Sequence, residues 1–207
     1  VDFIVFSTGI RPRDKLATQC GLDVAPRGGI VINDSCQTSD PDIYAIGECA
    51  SWNNRVFGLV APGYKMAQVA VDHILGSENA FEGADLSAKL KLLGVDVGGI
   101  GDAHGRTPGA RSYVNLDESK EIYKRLIVSE DNKTLLGAVL VGDTSDYGNL
   151  LQLVLNAIEL PENPDSLILP AHSGSGKPSI GVDKLPDSAQ ICSCFDVTKG
   201  DLIAAIN

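Results

Sequence analysis

Three apolar runs broken by tight polar turns, residues 111–116, 120–129 and 135–142, constrain this chain more than any other feature. Each mixes aromatic and β-branched residues, and each is too short for an ordinary helix. The turn Glu130-Asp131-Asn132-Lys133 between the second and third is a hairpin signal. Residues 90–100 add one or two strands ahead of them, and a helix is expected from Tyr147 to Glu159. Antiparallel strands followed by one helix point to a small α+β domain, in which the helix covers one sheet face.

The part before it reads differently. Residues 1–10 read as a buried strand ending in Ser7-Thr8-Gly9, and Arg11-Pro12 turns the chain. A short helix from Asp14 to Cys20 closes at Gly21. Arg27-Gly28-Gly29 turns into the strand Ile30–Ile32, and a further short strand over 43–46 ends at Gly47-Glu48. A helix with Pro62 in its first turn runs to Leu75 and stops at Gly76. Strands alternating with helices read as α/β. The expected organisation is therefore an α/β portion over 1–80 and an α+β domain over 81–170. A Gly-, Ser-, Pro- and Lys-rich linker follows over 171–188, then a last segment over 189–207 whose helix starts after Thr198. The chain opens inside a strand and closes inside a helix without a stop signal, so we expect a slice of a longer polypeptide.

Charge and cysteine usage narrow the function. Of 207 residues, 17 are Lys or Arg and 27 Asp or Glu, a net charge of −10. That balance argues against a nucleic-acid or anionic-membrane surface. The longest apolar stretch, residues 150–160, is too short to span a bilayer and carries Gln152, Asn156 and Glu159. Five cysteines stand at 20, 36, 49, 192 and 194. An odd, scattered set is no disulfide framework, and no leader is visible, so a reducing cytoplasmic compartment is expected.

Two places carry candidate chemistry. The strand ends Ser7-Thr8-Gly9 and Ala45-Ile46-Gly47-Glu48 fit the rule that ligands bind beyond the carboxyl ends of strands in open α/β sheets. Glycine admits close backbone approach, and a carboxylate accepts hydrogen bonds from sugar hydroxyls. Plain strand-to-turn junctions with a solvated Glu would read the same way. The second place is Cys192-Ser193-Cys194. It offers two thiolates, where a [2Fe–2S] cluster takes four and zinc is equally short of ligands. Two ordinary thiols are the alternative. Cys20, Cys36 and Cys49 have no redox-pair spacing and read as packing residues, and His73 reads as a packing or surface residue rather than a base. No His-x-x-x-His and no Gly-x-Gly-x-x-Gly is present, and we assign no acid–base residue.

The segments VDFIVFSTGIRP (1–12) and TSDPDIYAIGECA (38–50) resemble the flavin-dependent pyridine nucleotide oxidoreductases. Residues 44–50 with 57–64 (FGLVAPGY), 89–97 and 135–143 resemble, within that superfamily, the large subunits of assimilatory-type NAD(P)H nitrite reductases. The resemblance implies the C-terminal part of an FAD-binding α/β domain, a small antiparallel-sheet and helix interface domain, and the start of a [2Fe–2S] relay module. It implies FAD contacts at Thr8, Gly9, Gly47, Glu48, Leu59, Val60, Ala61 and Pro62, with Asp usual where Glu48 stands. It implies Cys192 and Cys194 as half of a cluster site. For the longer protein it implies reduction of nitrite to ammonia by NAD(P)H, with siroheme and [4Fe–4S] outside this chain. A small subunit and a homodimer are the expected partners, with no nucleic acid and no membrane. Two alternatives are a piece of a ferredoxin or rubredoxin reductase and a non-catalytic assembly module.

Overall fold

Parallel strand pairing organises the first part of the chain. In the computed structural model, which describes residues 2–6, 9–170, 181–192 and 197–206, helix α1 spans Lys15–Gln19 and strand β1 Ile30–Ile32. Strand β2 spans Ala50–Trp52 and pairs parallel with β1 in the register Ile30 to Ala50 and Ile32 to Trp52. Helix α2 spans Val60–Ile74 and ends where the Gly76 N–H bonds to the His73 carbonyl. Asp14 stands before α1 but caps nothing; its Oδ2 accepts the Gly29 N–H at 2.7 Å instead, tying the turn before β1 to α1. The core of this unit is Phe57, Met66, Cys36 and Ala50, all fully buried, with Phe81. Phe81 meets the rings of Trp52 and Phe57 edge-on, at 5.2 and 5.5 Å between centroids.

Two strand expectations fail here. Residues 43–46 form no paired strand: Tyr44 makes a single bridge to Gln37, and pairing begins only at Ala50. The reason is local. Ala45 N–H bonds to the Cys36 carbonyl and Thr38 N–H to the Ile43 carbonyl, so this stretch closes its own loop. Residues 2–6 form no strand either, and Phe3, Ile4, Val5 and Phe6 are 72–84% exposed. An apolar, β-branched run becomes a strand only against a partner, and no described residue pairs with this one.

The second unit, residues 87–207, is separate from the first, residues 1–86. Strands β3 (Ala88–Leu92), β4 (Val95–Gly101), β5 (Arg111–Asp117), β6 (Ile122–Val128) and β7 (Leu135–Val141) form one antiparallel sheet in the order β3-β4-β7-β6-β5. Helix α3 (Tyr147–Leu155) lies on one face. There Leu150 and Leu153 pack with Ile100, Leu126, Ala138 and Leu140. The other face is apolar too. The register places Leu90, Val97, Val141, Tyr123 and Leu116 in one row across all five strands. Beyond residue 181, a two-stranded ladder joins β8 (Gln190–Cys192) to β9 (Val197–Thr198), and α4 spans Lys199–Ile206. Thr198 starts α4 as expected. Its hydroxyl and N–H donate to Asp201 at 2.7 and 2.9 Å, and the Asp201 N–H returns to its Oγ1.

One buried charge holds the second unit's turn. Lys124 on β6 is 2% exposed, and its Nζ meets Asp143 and Asp146 at 2.6 Å each, just past β7 and at the start of α3. Burial works against charge on Lys124, but the two carboxylates outweigh it and raise its pKa. Burial likewise works against charge on Asp143, yet bonds from Lys124 and Ser145 hold it below the ordinary range. Lys124→Met should cost about 3–5 kcal/mol in urea unfolding, the usual effect of removing one partner of a buried pair. Adding Asp143→Asn and Asp146→Asn should recover part of it. The lowered Asp143 contributes above the ordinary aspartate value of 3.8 and its share is lost as pH falls through its folded value. The raised Lys124 contributes below 10.5 and its share is lost as pH climbs past its folded value.

Candidate functional site

The extended segment 43–46 ends at Gly47, whose φ of +74° turns the backbone where a side chain would be strained. Gly47–Cys49 form one 3-10 turn that feeds β2. The expectation had Glu48 at the carboxyl end of a strand; it stands instead just before the amino end of β2. The turn is pinned from α2. The Gly47 N–H points at Met66 Sδ, 3.2 Å away, and Met66 is fully buried in the second turn of that helix. A Cβ on Gly63 would stand 3.5 Å from Gly47 Cα, so the helix's first turn lies directly on it.

The pinning leaves Glu48 exposed on the rim of an open cleft of about 400 Å³, lined by Ile10, Arg11, Arg13, Glu48 and Cys49. Gly58 stands close to two of these side chains: a Cβ there would meet Ile10 Cδ1 at 3.1 Å and Glu48 Oε1 at 3.6 Å. α2 starts beside this region. Leu59, its N-cap, has extended geometry and offers no side-chain oxygen, so the first-turn N–H groups have no side-chain cap. Leu59, Val60 and Ala61 are exposed, while Pro62 is buried and needs no N–H partner. An uncapped helix start favours negative charge near it.

The structure thus brings Gly47 and Glu48 together with the Leu59–Pro62 turn. Gly9, at φ +90° and exposed, adjoins Ile10 of the cleft. Thr8 lies outside the described residues. Cys192 sits on β8 in the other unit, Cys194 lies outside the described residues, and no described group of three His, Cys, Asp or Glu residues could hold a metal. Sequence reading missed Arg13, Gly58 and Met66. His73 is a packing residue as expected, its Nδ1 2.7 Å from the Tyr44 hydroxyl.

Residues 1–73 match the family described as pyridine nucleotide-disulphide oxidoreductase. Residues 87–158 match the rubredoxin NAD+ reductase C-terminal domain. Over residues 1–73 the chain is similar to the pyridine nucleotide-disulphide oxidoreductases. It is 56% identical over 206 residues to the nitrite reductase [NAD(P)H] large subunit of Klebsiella oxytoca, covering 100% of this chain and 22% of that protein. It is 41% identical to the nitrite reductase [NAD(P)H] of Emericella nidulans, covering 98% and 21%. It spans about a fifth of the length of these relatives. Among solved structures, the NADH:rubredoxin oxidoreductase of Clostridium acetobutylicum aligns with a TM-score of 0.55 at 22% identity, covering 76% of this chain and 39% of that one. That likeness is one of fold, an α/β part followed by an antiparallel sheet.

The three described cysteines differ in their surroundings. Cys49 is half-buried on the cleft wall, Cys20 is exposed, and Cys36 is fully buried. Burial pushes the Cys36 thiol up to about 11. At pH 8 a thiol reagent should therefore label Cys20 and Cys49, and Cys36 only after denaturant. Because its folded pKa is raised, the Cys36 contribution to stability is complete below about 9 and falls as pH climbs toward 11. Labelling of Cys36 in the folded chain at pH 8 would contradict this burial.

Proposed function

We propose that this chain is the flavin-facing and interface portion of an NAD(P)H-dependent nitrite reductase large subunit. The reading rests on the exposed Glu48 carboxylate in the cleft, beside the uncapped start of α2. The residues fit the cofactor. Glu48 would accept hydroxyls of the FAD ribitol, and Gly9 and Gly47 would let backbone come close. Thr8, outside the described residues, would be a further FAD contact, as the resemblance implies. The N–H groups of Val60 and Ala61, with the turn shaped by Leu59 and Pro62, would face the flavin pyrimidine, where the positive helix end favours electron density. When bound, FAD supplies the hydride and electron chemistry, and this chain supplies position and field.

The longer protein would reduce nitrite to ammonia with NAD(P)H, using siroheme and [4Fe–4S] outside these residues. Cys192 and Cys194 would contribute two of the four thiolates of a [2Fe–2S] cluster, the rest coming from outside the 207 residues. The chain's residues alone do not complete that site. Residues 1–80 would close the FAD domain, 81–170 form the interface domain, 171–188 link, and 189–207 open the cluster module of a cytoplasmic enzyme with a small-subunit partner. Among the described residues no helix is long and apolar enough to cross a membrane. In the full-length protein, Cys192→Ser should abolish the [2Fe–2S] paramagnetic resonance signal with FAD retained, and Glu48→Ala should lower FAD content severalfold with the signal retained. An unchanged signal would remove Cys192 from the cluster, and unchanged FAD would remove Glu48 from the flavin site.

A second role, pairing of subunits into a homodimer, is favoured by the apolar row on the sheet face that α3 leaves open. Leu90 is 48% and Leu116 60% exposed there. One solvated face of an antiparallel sheet ordinarily alternates to polar residues; here Arg125 and Ser112, bonded to each other, stand beside a row that is apolar on four of its five strands, with Tyr123 on the fifth. Leu90→Glu with Leu116→Glu should halve the mass seen in sedimentation if that face pairs copies. An unaltered mass would assign the face to another contact.

A further inference from the structure

We propose that Gln152 on α3 is a positioning residue, which docks the cysteine-bearing strand β8 and the segment built on it against the antiparallel-sheet unit. The inference rests on the reading of Cys192 as a cluster thiolate, and deepens it by saying what holds that strand in place. The Gln152 Nε2 donates to the Gln190 carbonyl on β8 at 3.0 Å, two residues before Cys192. Asn156, one helical turn on, donates to the Gln152 Oε1 at 2.9 Å and to the Gln152 carbonyl at 3.0 Å. The amide oxygen is thus taken up within α3, and the amide nitrogen is turned toward β8. Gln152, Asn156 and Gln190 are each half-buried, although none is apolar. Polar side chains outside the Leu150 and Leu153 stripe of a helix ordinarily face water, so this flank of α3 is covered by something, and β8 is bonded to it.

The segment held in this way is one body. The Lys199 and Gly200 N–H groups bond to the Ala189 and Asp187 carbonyls at 2.9 and 2.8 Å, and the Lys199 Nζ reaches the Leu185 carbonyl at 2.8 Å. β8 pairs with β9, and Leu185 and Ala189 are buried. Fixing Gln190 therefore fixes α4 with it. Residues 171–180 have linker composition, so the place of this body has to come from what it touches. A short tether keeps the effective concentration of two surfaces high, so one well-made bond is enough to bias them together. The acceptor is a backbone carbonyl, so the contact fixes the strand's position whatever side chains it carries. Electron transfer falls steeply with distance, and a thiolate on a docked strand has a set position relative to the sheet.

The test is amide hydrogen exchange, read by mass spectrometry, on the 207-residue chain. Gln152→Glu keeps the acceptor for Asn156 but sets a carboxylate against the Gln190 carbonyl. Exchange over residues 185–192 and 197–206 should rise about tenfold, the effect of losing one half-buried hydrogen bond, with β6 and β7 unchanged. Gln152→Met removes the amide without adding charge and should act in the same direction. Unchanged exchange in the C-terminal segment, a rise confined to the Glu variant, or an equal rise in β6 and β7 overturns the dock. In the full-length protein, Gln152→Glu should keep FAD and the [2Fe–2S] paramagnetic resonance signal. Flavin reduction by NAD(P)H should keep its rate, and the following reduction of the cluster by the flavin should slow severalfold. An unchanged rate of cluster reduction, or loss of the signal, overturns the positioning role. The exchange result needs no cluster, so the two readings fail separately. If Cys192→Ser keeps the signal, the relay reading falls and exchange alone decides the dock.

Discussion

The cleft depends on Gly47 holding a positive φ while its N–H points into the buried Met66 sulfur. Those two facts convert an extended run into a turn and fix that turn against α2. Without the reversal, Glu48 would continue the direction of residues 43–46. Without Met66 underneath, α2 would have no fixed distance from the turn, and its uncapped start would face nothing in particular. A thioether is a weak acceptor, so the contact contributes little as a hydrogen bond. Its weight is geometric: Met66 is part of the same core as Phe57, Cys36 and Ala50. Packing energy of the first unit therefore sets the position of the polar groups on its rim.

The second unit solves a different problem with a different device. Its sheet is stable on one face because α3 covers Ile100, Leu126 and Leu140. The Lys124 ammonium fixes where α3 begins, by gathering Asp143 and Asp146 after β7. Such a buried charge adds little net stability relative to an apolar replacement, but it penalises any register that leaves it unpaired. The opposite face stays apolar without cover from this unit's own helix. The two units thus share a logic, in which a covered core leaves one surface prepared for something else.

Legibility in the sequence followed how local the cause was. Strands β5, β6 and β7 were readable because alternation and the Asp131-Asn132 turn act within a few residues. Thr198 was readable at the start of α4 for the same reason, and so was Gly76 after α2. Residues 43–46 and 2–6 misled because strand propensity reports fitness for a half-buried surface: 43–46 closes a loop on residues 36–38, and no described residue pairs with 2–6. Arg13 was invisible as a cleft residue, since it is far from Glu48 in sequence.

By itself the amino-acid sequence determined the strands of the second sheet and the helices, the acid-rich balance, the family resemblance and the identity of the chemically capable groups, because these depend on side chains and on neighbours a few positions away. Only the tertiary structure decided that Glu48 stands before a strand rather than after one, that Arg11 and Arg13 share its cleft, and that Cys36 is sealed while Cys49 is on a wall. Each of those outcomes depends on distant segments packing into the same volume, and contact across that distance leaves no local pattern to read.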